Sequence, residues 1–144
     1  MNQYTLDASV GAKWLFDEEL SEKAVLLLQE LKQNKIEIIV PELFYVELGS
    51  ICWSKVKRKQ SALEYAVEGL DKILGFTLKT YPDQELADVA LENALRFGIS
   101  VYDGLYLALA EIYVAPLVTA DEILLKACEG RFDFIESLQD FSPD

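Results

Sequence analysis

The feature that most constrains the fold of this chain is a repeated alternation of short β-branched segments with longer helical patterns. The predicted strands are residues 3–6, 35–40, 76–81, 116–119 and 133–137. The predicted helices run from the residue after Asp7 to Phe16, and over 20–33, 42–58, 61–74, 83–97, 100–113 and 121–129. Strands that alternate with helices form a parallel sheet with helices on both faces. The pattern therefore predicts an α/β fold, a three-layer α/β/α sandwich around a central mainly parallel sheet.

Capping signals set several predicted helix ends. Ser61 and Glu64 have the spacing of a capping box, and Asp83 is placed to cap the helix that Gly98 ends. Ser100 stands at the start of a strongly apolar helix. With 144 residues, the chain has the usual length of one domain, and we expect residues 1–144 to form one.

Composition narrows the class of protein further. Hydrophobic residues make up 51% of the chain, yet charges interrupt every apolar run before the ~20 residues that a membrane helix needs. The first residues lack the basic start and apolar stretch of a secretory signal, so we expect a cytoplasmic protein without a membrane segment. Cys52 and Cys128 are too isolated for a disulfide framework, and we expect both to be core residues.

The chain contains no histidine, which excludes Ser-His-Asp and Cys-His catalysis and most zinc sites. A metal would have to be held by oxygen ligands, which favour Mg²⁺ or Mn²⁺. The net charge of −12 repels the phosphate backbone of nucleic acid, and therefore argues against a general nucleic-acid-binding protein that coats this backbone. A chain of this kind needs metal ions or a local basic patch to bind RNA.

Two acids follow predicted strands directly. Asp7 comes after the first strand and Asp121 after the strand at 116–119, so both are expected at the carboxyl edge of the sheet, where ligand crevices form. Each also has a structural interpretation as a helix cap. Asp7 or Ser9 can cap the next helix, and Thr119 with Glu122 has capping-box spacing.

Two further acids lie in apolar helices. Glu47 is the only charged residue between Leu43 and Ser54, and no neighbour one turn away can neutralise it, so it must be protonated, ion-paired or bound to a cation. Asp103 is the only charge from Phe97 to Ala110. It has capping-box spacing from the serine at the helix start, whereas the glycine that follows it predicts free space for a ligand beside the acid.

We interpret the four acids as one set. If they converge on one crevice, their mutual repulsion favours protonation unless a cation binds. Mg²⁺ or Mn²⁺ there would activate water and neutralise charge on a phosphodiester.

The same residues resemble the PIN domain family, ribonucleases known as toxins of toxin–antitoxin pairs. Their contexts are DAS at Asp7, PELFYVELGS at Glu47, SVYDGLYLALA at Asp103 and VTADE at Asp121. The resemblance implies an α/β/α sandwich, a divalent metal on these four acids, endonucleolytic cleavage of RNA, and a toxin role.

Other positions match the family less firmly. The resemblance implies that Ser9 and Thr119 support the acids or contact phosphate. The chain departs from the family pattern at Ser50, where many such toxins carry Asn, and at Gly104, where Ala is commoner.

Basic and apolar segments suggest what the protein binds. Lys55, Lys57, Arg58 and Lys59 form one dense basic cluster at the end of the helix that carries Glu47. This cluster is a candidate RNA-backbone patch, although the helix dipole alone also favours positive charge there. Isolated Arg96 and Arg131 carry no assignment. The apolar faces of 42–56 and 62–74 exceed the needs of one small core, and predict a homodimer or a groove for an amphipathic antitoxin segment.

Two other functions fit parts of the sequence. A catalytically idle binding or scaffold module with the same fold is the main alternative to a metal-dependent endoribonuclease. A magnesium phosphatase with Asp7 as nucleophile ranks last, because such enzymes commonly carry a second Asp two residues on, where this chain has Ser9.

Overall fold

The structure is a computed structural model and describes residues 2–143. Strands and helices alternate along it: β1 (Asn2–Leu6), α1 (Ala8–Leu15), α2 (Ser21–Lys32), β2 (Ile36–Pro41), α3 (Leu43–Lys57), α4 (Leu63–Leu74), β3 (Lys79–Tyr81), α5 (Ala87–Phe97), α6 (Val101–Ile112), β4 (Leu117–Thr119), α7 (Glu122–Cys128) and β5 (Ile135–Ser137). Two 3₁₀ turns lie at Asp83–Glu85 and Leu138–Asp140. No helix in residues 2–143 is both long enough and apolar enough to cross a membrane.

The strands form one sheet in the order β3-β2-β1-β4-β5, and every pairing within residues 2–143 is parallel. The chain adds β2 and β3 on one side of β1 and then β4 and β5 on the other. The strand order therefore reverses between β1 and β4, which is where open α/β sheets bind ligands, beyond the carboxyl ends of the strands. The predicted fold class is confirmed.

The core lies on both faces of the sheet. Ile38 and Val40 of β2 pack into the larger apolar cluster, whereas Ile39 between them packs into a second cluster with α5 and α6. Successive side chains of a strand point to opposite faces, so this alternation places a helical layer on each side. Cys52 and Cys128 are buried free thiols, as expected.

Several predicted boundaries were wrong. The strand predicted at 76–81 pairs with β2 only from Lys79, and the one predicted at 133–137 begins at Ile135. The Ser61–Glu64 capping box does not form, because the Ser61 hydroxyl donates to the carbonyl of Ala62, which occupies the N-cap position of α4.

Asp83 caps a different helix from the one predicted. It lies in a 3₁₀ turn, and α5 begins only at Ala87. The Asp83 carboxylate accepts from the backbone N–H of Leu43 in the first turn of α3, and the Glu42 carboxylate accepts from the N–H of Asp83. This reciprocal pair fixes the start of the helix that carries Glu47.

Candidate active site

Asp7 is buried between β1 and α1 and is held by two hydroxyl groups. It occupies the N-cap position of α1, but its side chain makes no cap hydrogen bond. The Ser9 hydroxyl donates to Oδ1 at 2.5 Å, and the Thr119 hydroxyl donates to Oδ2. Ser9 Oγ also accepts from the N–H of Ala120 at 3.0 Å, which ties the start of α1 to the segment that follows β4. The capping interpretation of the Asp7 side chain is therefore wrong.

Burial makes the charged form of Asp7 costly. The side chain is 6% exposed, and loss of water raises its pKa from 3.8 to about 6. The charge of Asp121 raises the pKa as well, whereas the hydrogen bonds from Ser9 and Thr119 lower it. At neutral pH the carboxylate is mostly ionised, with two hydroxyl donors and no ion pair to a cationic side chain within residues 2–143.

Glu47 lies on α3 and faces Tyr106 of α6. The Tyr106 hydroxyl donates to Glu47 Oε1 at 2.5 Å. Partial burial raises the pKa of Glu47, and the charges of Asp103 and Asp83 raise it further, while the tyrosine lowers it. The sequence predicted that no residue one helical turn from Glu47 could neutralise its charge. The hydrogen-bond partner in the structure is the neutral hydroxyl of Tyr106 on another helix, so the negative charge of Glu47 is not neutralised by it.

Asp103 lies in the first turn of α6, and its backbone N–H donates to the Ser100 hydroxyl at 3.0 Å. Ser100 thus caps the helix as predicted. Partial burial raises the pKa of Asp103, and the charge of Asp121 adds to this. A hydrogen bond with the Ser100 side chain lowers this pKa, and the carboxylate forms no ion pair within residues 2–143.

The expectation that Gly104 leaves space for a ligand beside Asp103 was wrong. Gly104 is buried, and a Cβ built on it would lie 2.3 Å from the carbonyl oxygen of Ala90 in α5. The glycine therefore allows two helices to pack closely, and the backbone of α5 fills the space that its missing side chain leaves.

Asp121, rather than Thr119, caps α7. Its Oδ1 accepts from the N–H groups of Ile123 and Leu124 at 3.0 and 3.1 Å. Thr119 Oγ1 instead accepts from the N–H of Asp121 at 3.1 Å and donates to Asp7. The predicted Thr119–Glu122 capping box was wrong, because the Thr119 hydroxyl is hydrogen-bonded to Asp7 and to the backbone of Asp121 instead.

The four predicted acids line one open cavity of about 370 Å³. Its other polar lining residues are Ser9, Ser50, Ser54 and Tyr106. Sequence reasoning missed Ser54 and Tyr106, although a signal existed for both. Ser54 lies seven residues after Glu47 and Tyr106 three residues after Asp103, so each shares a helix face with an acid.

The cavity fits a divalent cation by its donor set. Carboxylates and hydroxyls are the ligands that Mg²⁺ and Mn²⁺ prefer, and the carboxylates raise one another's pKa in pairs: Asp121 acts on Asp7 and on Asp103, and Asp103 acts on Glu47. Within residues 2–143, no three acidic or thiol side chains are already close enough together to enclose one ion. The cavity residues therefore have the right ligand chemistry for a divalent cation and lie around one cavity. Their side chains would have to move closer together to complete the coordination of the ion.

The basic cluster begins beside this cavity, but two of its lysines already contact other side chains of the protein. Lys55 forms an ion pair with Glu18 at 3.3 Å and lies over the Phe16 ring, and Lys57 lies over the Trp53 ring. Arg58 and Lys59 are exposed at the end of α3. Of the four residues, these two are the most open to a substrate.

Comparison with known proteins gives consistent matches over most of the chain. The PIN domain family model matches residues 4–130. Ribonuclease VapC3 of Pyrobaculum aerophilum is 30% identical over 121 residues, which are 83% of this chain and 89% of that protein. The crystal structure of PAE2754 from Pyrobaculum aerophilum has a TM-score of 0.70 and 25% identity, and the match covers 96% of this chain and 85% of that one.

A more distant solved structure shares the fold. VapBC2 from Rickettsia felis, bound to a DNA fragment from its promoter, matches with a TM-score of 0.65 and 17% identity over 94% of this chain and 98% of that one. Because the family model spans most of the sequence and the 30% identical relative aligns with 83% of it, the chain belongs to the PIN domain family.

Proposed function

We propose that the protein is a divalent-metal-dependent endoribonuclease that hydrolyses RNA phosphodiester bonds and acts as the toxin of a toxin–antitoxin pair. The observation that carries this proposal is the arrangement of Asp7, Glu47, Asp103 and Asp121 around one cavity. They come from four separate places in the sequence, and nothing in strand or helix packing requires four carboxylates to meet. The 30% identical relative is also named as a ribonuclease.

Each acid has a role in holding the metal. Asp7 is the fixed ligand, because two hydrogen bonds orient both of its oxygens. Glu47 and Asp103 are half-buried and complete the site from α3 and α6, while Asp121 contributes from the start of α7. When bound, Mg²⁺ or Mn²⁺ supplies an activated water and neutralises charge on the phosphate.

Ser9 and Thr119 position Asp7 rather than bind metal in this proposal. Thr119 is fully buried, and its hydroxyl donates to Asp7, accepts from the N–H of Asp121 and lies 3.4 Å from the Ser9 hydroxyl. Removal of either hydroxyl leaves one oxygen of Asp7 without its donor.

The RNA follows one face of α3. Glu47, Ser50 and Ser54 line the cavity at successive turns, and Arg58 continues the same face at the end of the helix. In this proposal the basic cluster, mainly Arg58 and Lys59, attracts the RNA backbone against the net charge of −12.

The proposed protein partner is an antitoxin. Helices α3 and α4 border an apolar groove of about 370 Å³, where Trp53 is 65% exposed and Leu63 58% exposed. This groove suits the apolar face of an amphipathic helix, and a basic antitoxin segment suits the acidic cavity. A homodimer through the same apolar faces and a cytoplasmic location stay predictions from the sequence.

The test is cleavage of structured RNA by purified protein in Mg²⁺ or Mn²⁺. We expect wild type and Asp71→Asn, an exposed acid on α4, to cleave equally, and Asp7→Asn to lose activity at least 100-fold. Chelation should abolish cleavage. Cleavage that survives a chelator, or equal activity of Asp7→Asn, would defeat the proposal, and no cleavage by any form would favour the idle scaffold.

The toxin role has a separate test in cells. Expression of the wild type should arrest growth, and Glu47→Gln should relieve the arrest at equal protein level. Equal arrest by both proteins would contradict a toxicity that depends on the site.

A further inference from the structure

Two arginines that are far apart in sequence form one surface cluster outside the acidic cavity. Arg96 ends α5 and Arg131 follows α7. Arg96 Nη2 donates to the carbonyl of Arg131 at 3.2 Å, and Arg131 Nη2 donates to the carbonyl of Arg96 at 2.6 Å. Both guanidinium carbons lie over the ring of Phe97, at 4.8 and 5.0 Å from its centroid. We call these three residues the arginine clamp.

The arginine clamp is ordered but not neutralised. Both arginines are exposed, and the ion pairs formed within residues 2–143 involve other cations. A guanidinium carries five N–H donors, and each of these uses one on a carbonyl. The remaining donors are held in a fixed plane by a buried aromatic ring, which reduces the entropy lost when an anion binds.

The arginine clamp lies near the acidic cavity. Burial raises the pKa of the Cys128 thiol, Arg131 lowers it and Asp103 raises it, so this thiol is within electrostatic reach of both places. Arg96 precedes Asp103 by seven residues, which limits their Cα separation to about 23 Å. At about 3.4 Å per stacked nucleotide, at most about seven nucleotides span the distance between them.

We infer that Arg96 and Arg131 form a second phosphate-binding site, which holds the backbone of single-stranded RNA outside the acidic cavity. The inference rests on the proposed function for the identity of the ligand. Its physical basis is separate: two fixed guanidiniums that form no ion pair within residues 2–143, on a chain that carries nearly twice as many acids as bases. Bidentate recognition of phosphate is the interaction that this planar geometry favours.

The test measures binding of a fluorescent 12-nucleotide single-stranded RNA in EDTA, where no metal-dependent cleavage occurs. We compare wild type with R96Q/R131Q and with a matched control, K32Q/K72Q, which removes two exposed cations from α2 and α4. Each phosphate contact contributes about 0.7 to the salt slope of single-strand binding. Loss of two contacts should reduce the slope of log affinity against log salt concentration by about 1.4. When the salt concentration rises fourfold, the loss of affinity of wild type should therefore be about sevenfold larger than that of R96Q/R131Q.

The control should keep the wild-type slope, and R96K/R131K should keep the slope but bind more weakly, because lysine supplies the charge without the planar guanidinium. A purely structural role, tying the ends of α5 and α7 together, would lower the melting temperature of both arginine variants and leave the slope unchanged. That result, or an equal loss of slope in the control, would overturn the inference.

Cleavage assays separate this inference from the proposed function. With active enzyme, R96Q/R131Q should raise KM for RNA about tenfold with little change in kcat. If wild type cleaves RNA and R96Q/R131Q keeps the wild-type KM and salt slope, the inference about the arginine clamp is wrong while the proposed function stands. If no form cleaves RNA but the slope differs as expected, the proposed function fails and the phosphate site stands.

Discussion

Replacement of Asp7 by Asn should stabilise the metal-free protein. Each unit of pKa corresponds to about 1.4 kcal/mol, so the rise from 3.8 to about 6 means that the ionised, buried carboxylate costs about 3 kcal/mol of folding stability at neutral pH. Asn removes this cost. It also forces one of the two hydroxyls, Ser9 or Thr119, to give up its role as donor, which costs about 1 kcal/mol.

The net gain is about 2 kcal/mol at pH 7.5, a rise in melting temperature of about 6 °C for a chain of this size. The sign with pH follows from the raised pKa. The folded wild type binds more protons than the unfolded chain between about pH 4 and 6, so its stability falls as pH rises through that window and stays lower above it. Asp7→Asn should lack this fall.

Urea unfolding in EDTA from pH 4 to 8 measures both effects, with Asp71→Asn as the control that should stay within about 0.5 kcal/mol of wild type. Millimolar Mg²⁺ should stabilise wild type and leave Asp7→Asn unchanged, since a ligand stabilises only the form that binds it. A destabilised Asp7→Asn at pH 7.5 without metal would refute the reasoning that the carboxylate is held at an energetic cost.

Three further predictions, which use four substitutions, test separate features. Tyr106→Phe should fold normally by circular dichroism but cleave RNA about tenfold more slowly, because Glu47 loses the hydroxyl that orients it; unchanged activity would contradict a positioning role. Gly104→Ala should lower the free energy of unfolding by about 3 kcal/mol through a clash with a backbone carbonyl, while Gly49→Ala, with nothing within 4 Å, should raise it by up to about 1 kcal/mol. Val114→Gly should raise the melting temperature slightly, because this β-branched, exposed residue has φ of 51°, a conformation that costs about 1–2 kcal/mol for residues other than glycine; a lower melting temperature would show that its side chain packs usefully.

The sequence was most informative where a long apolar helical pattern contains a single charged residue. Helix α3 was predicted to within one residue at each end, because its apolar run is long and Pro41 ends the strand before it. Glu47 and Asp103 were recognisable as functional candidates because each is the only charged residue in an apolar stretch, residues 43–54 for Glu47 and 97–110 for Asp103. A residue whose burial is unfavourable on its own predicts a compensating ligand.

What the sequence did not show depends on contacts between distant segments. The role of Asp83 at the start of α3 arises across 40 residues, and no local pattern reports it. Gly104 looked like room for a ligand, yet the space is occupied by α5, whose approach only the fold defines. Arg96 and Arg131 are 35 residues apart and become a cluster only when α5 and α7 end side by side.

Binding of Mn²⁺, followed by its electron paramagnetic resonance signal, tests the central claim most directly. The account predicts saturable binding to the wild type that weakens at least tenfold in Glu47→Gln and in Asp103→Asn, with Asp71→Asn unchanged. Equal affinity in all four proteins would mean that the carboxylates around this cavity do not act as one metal site.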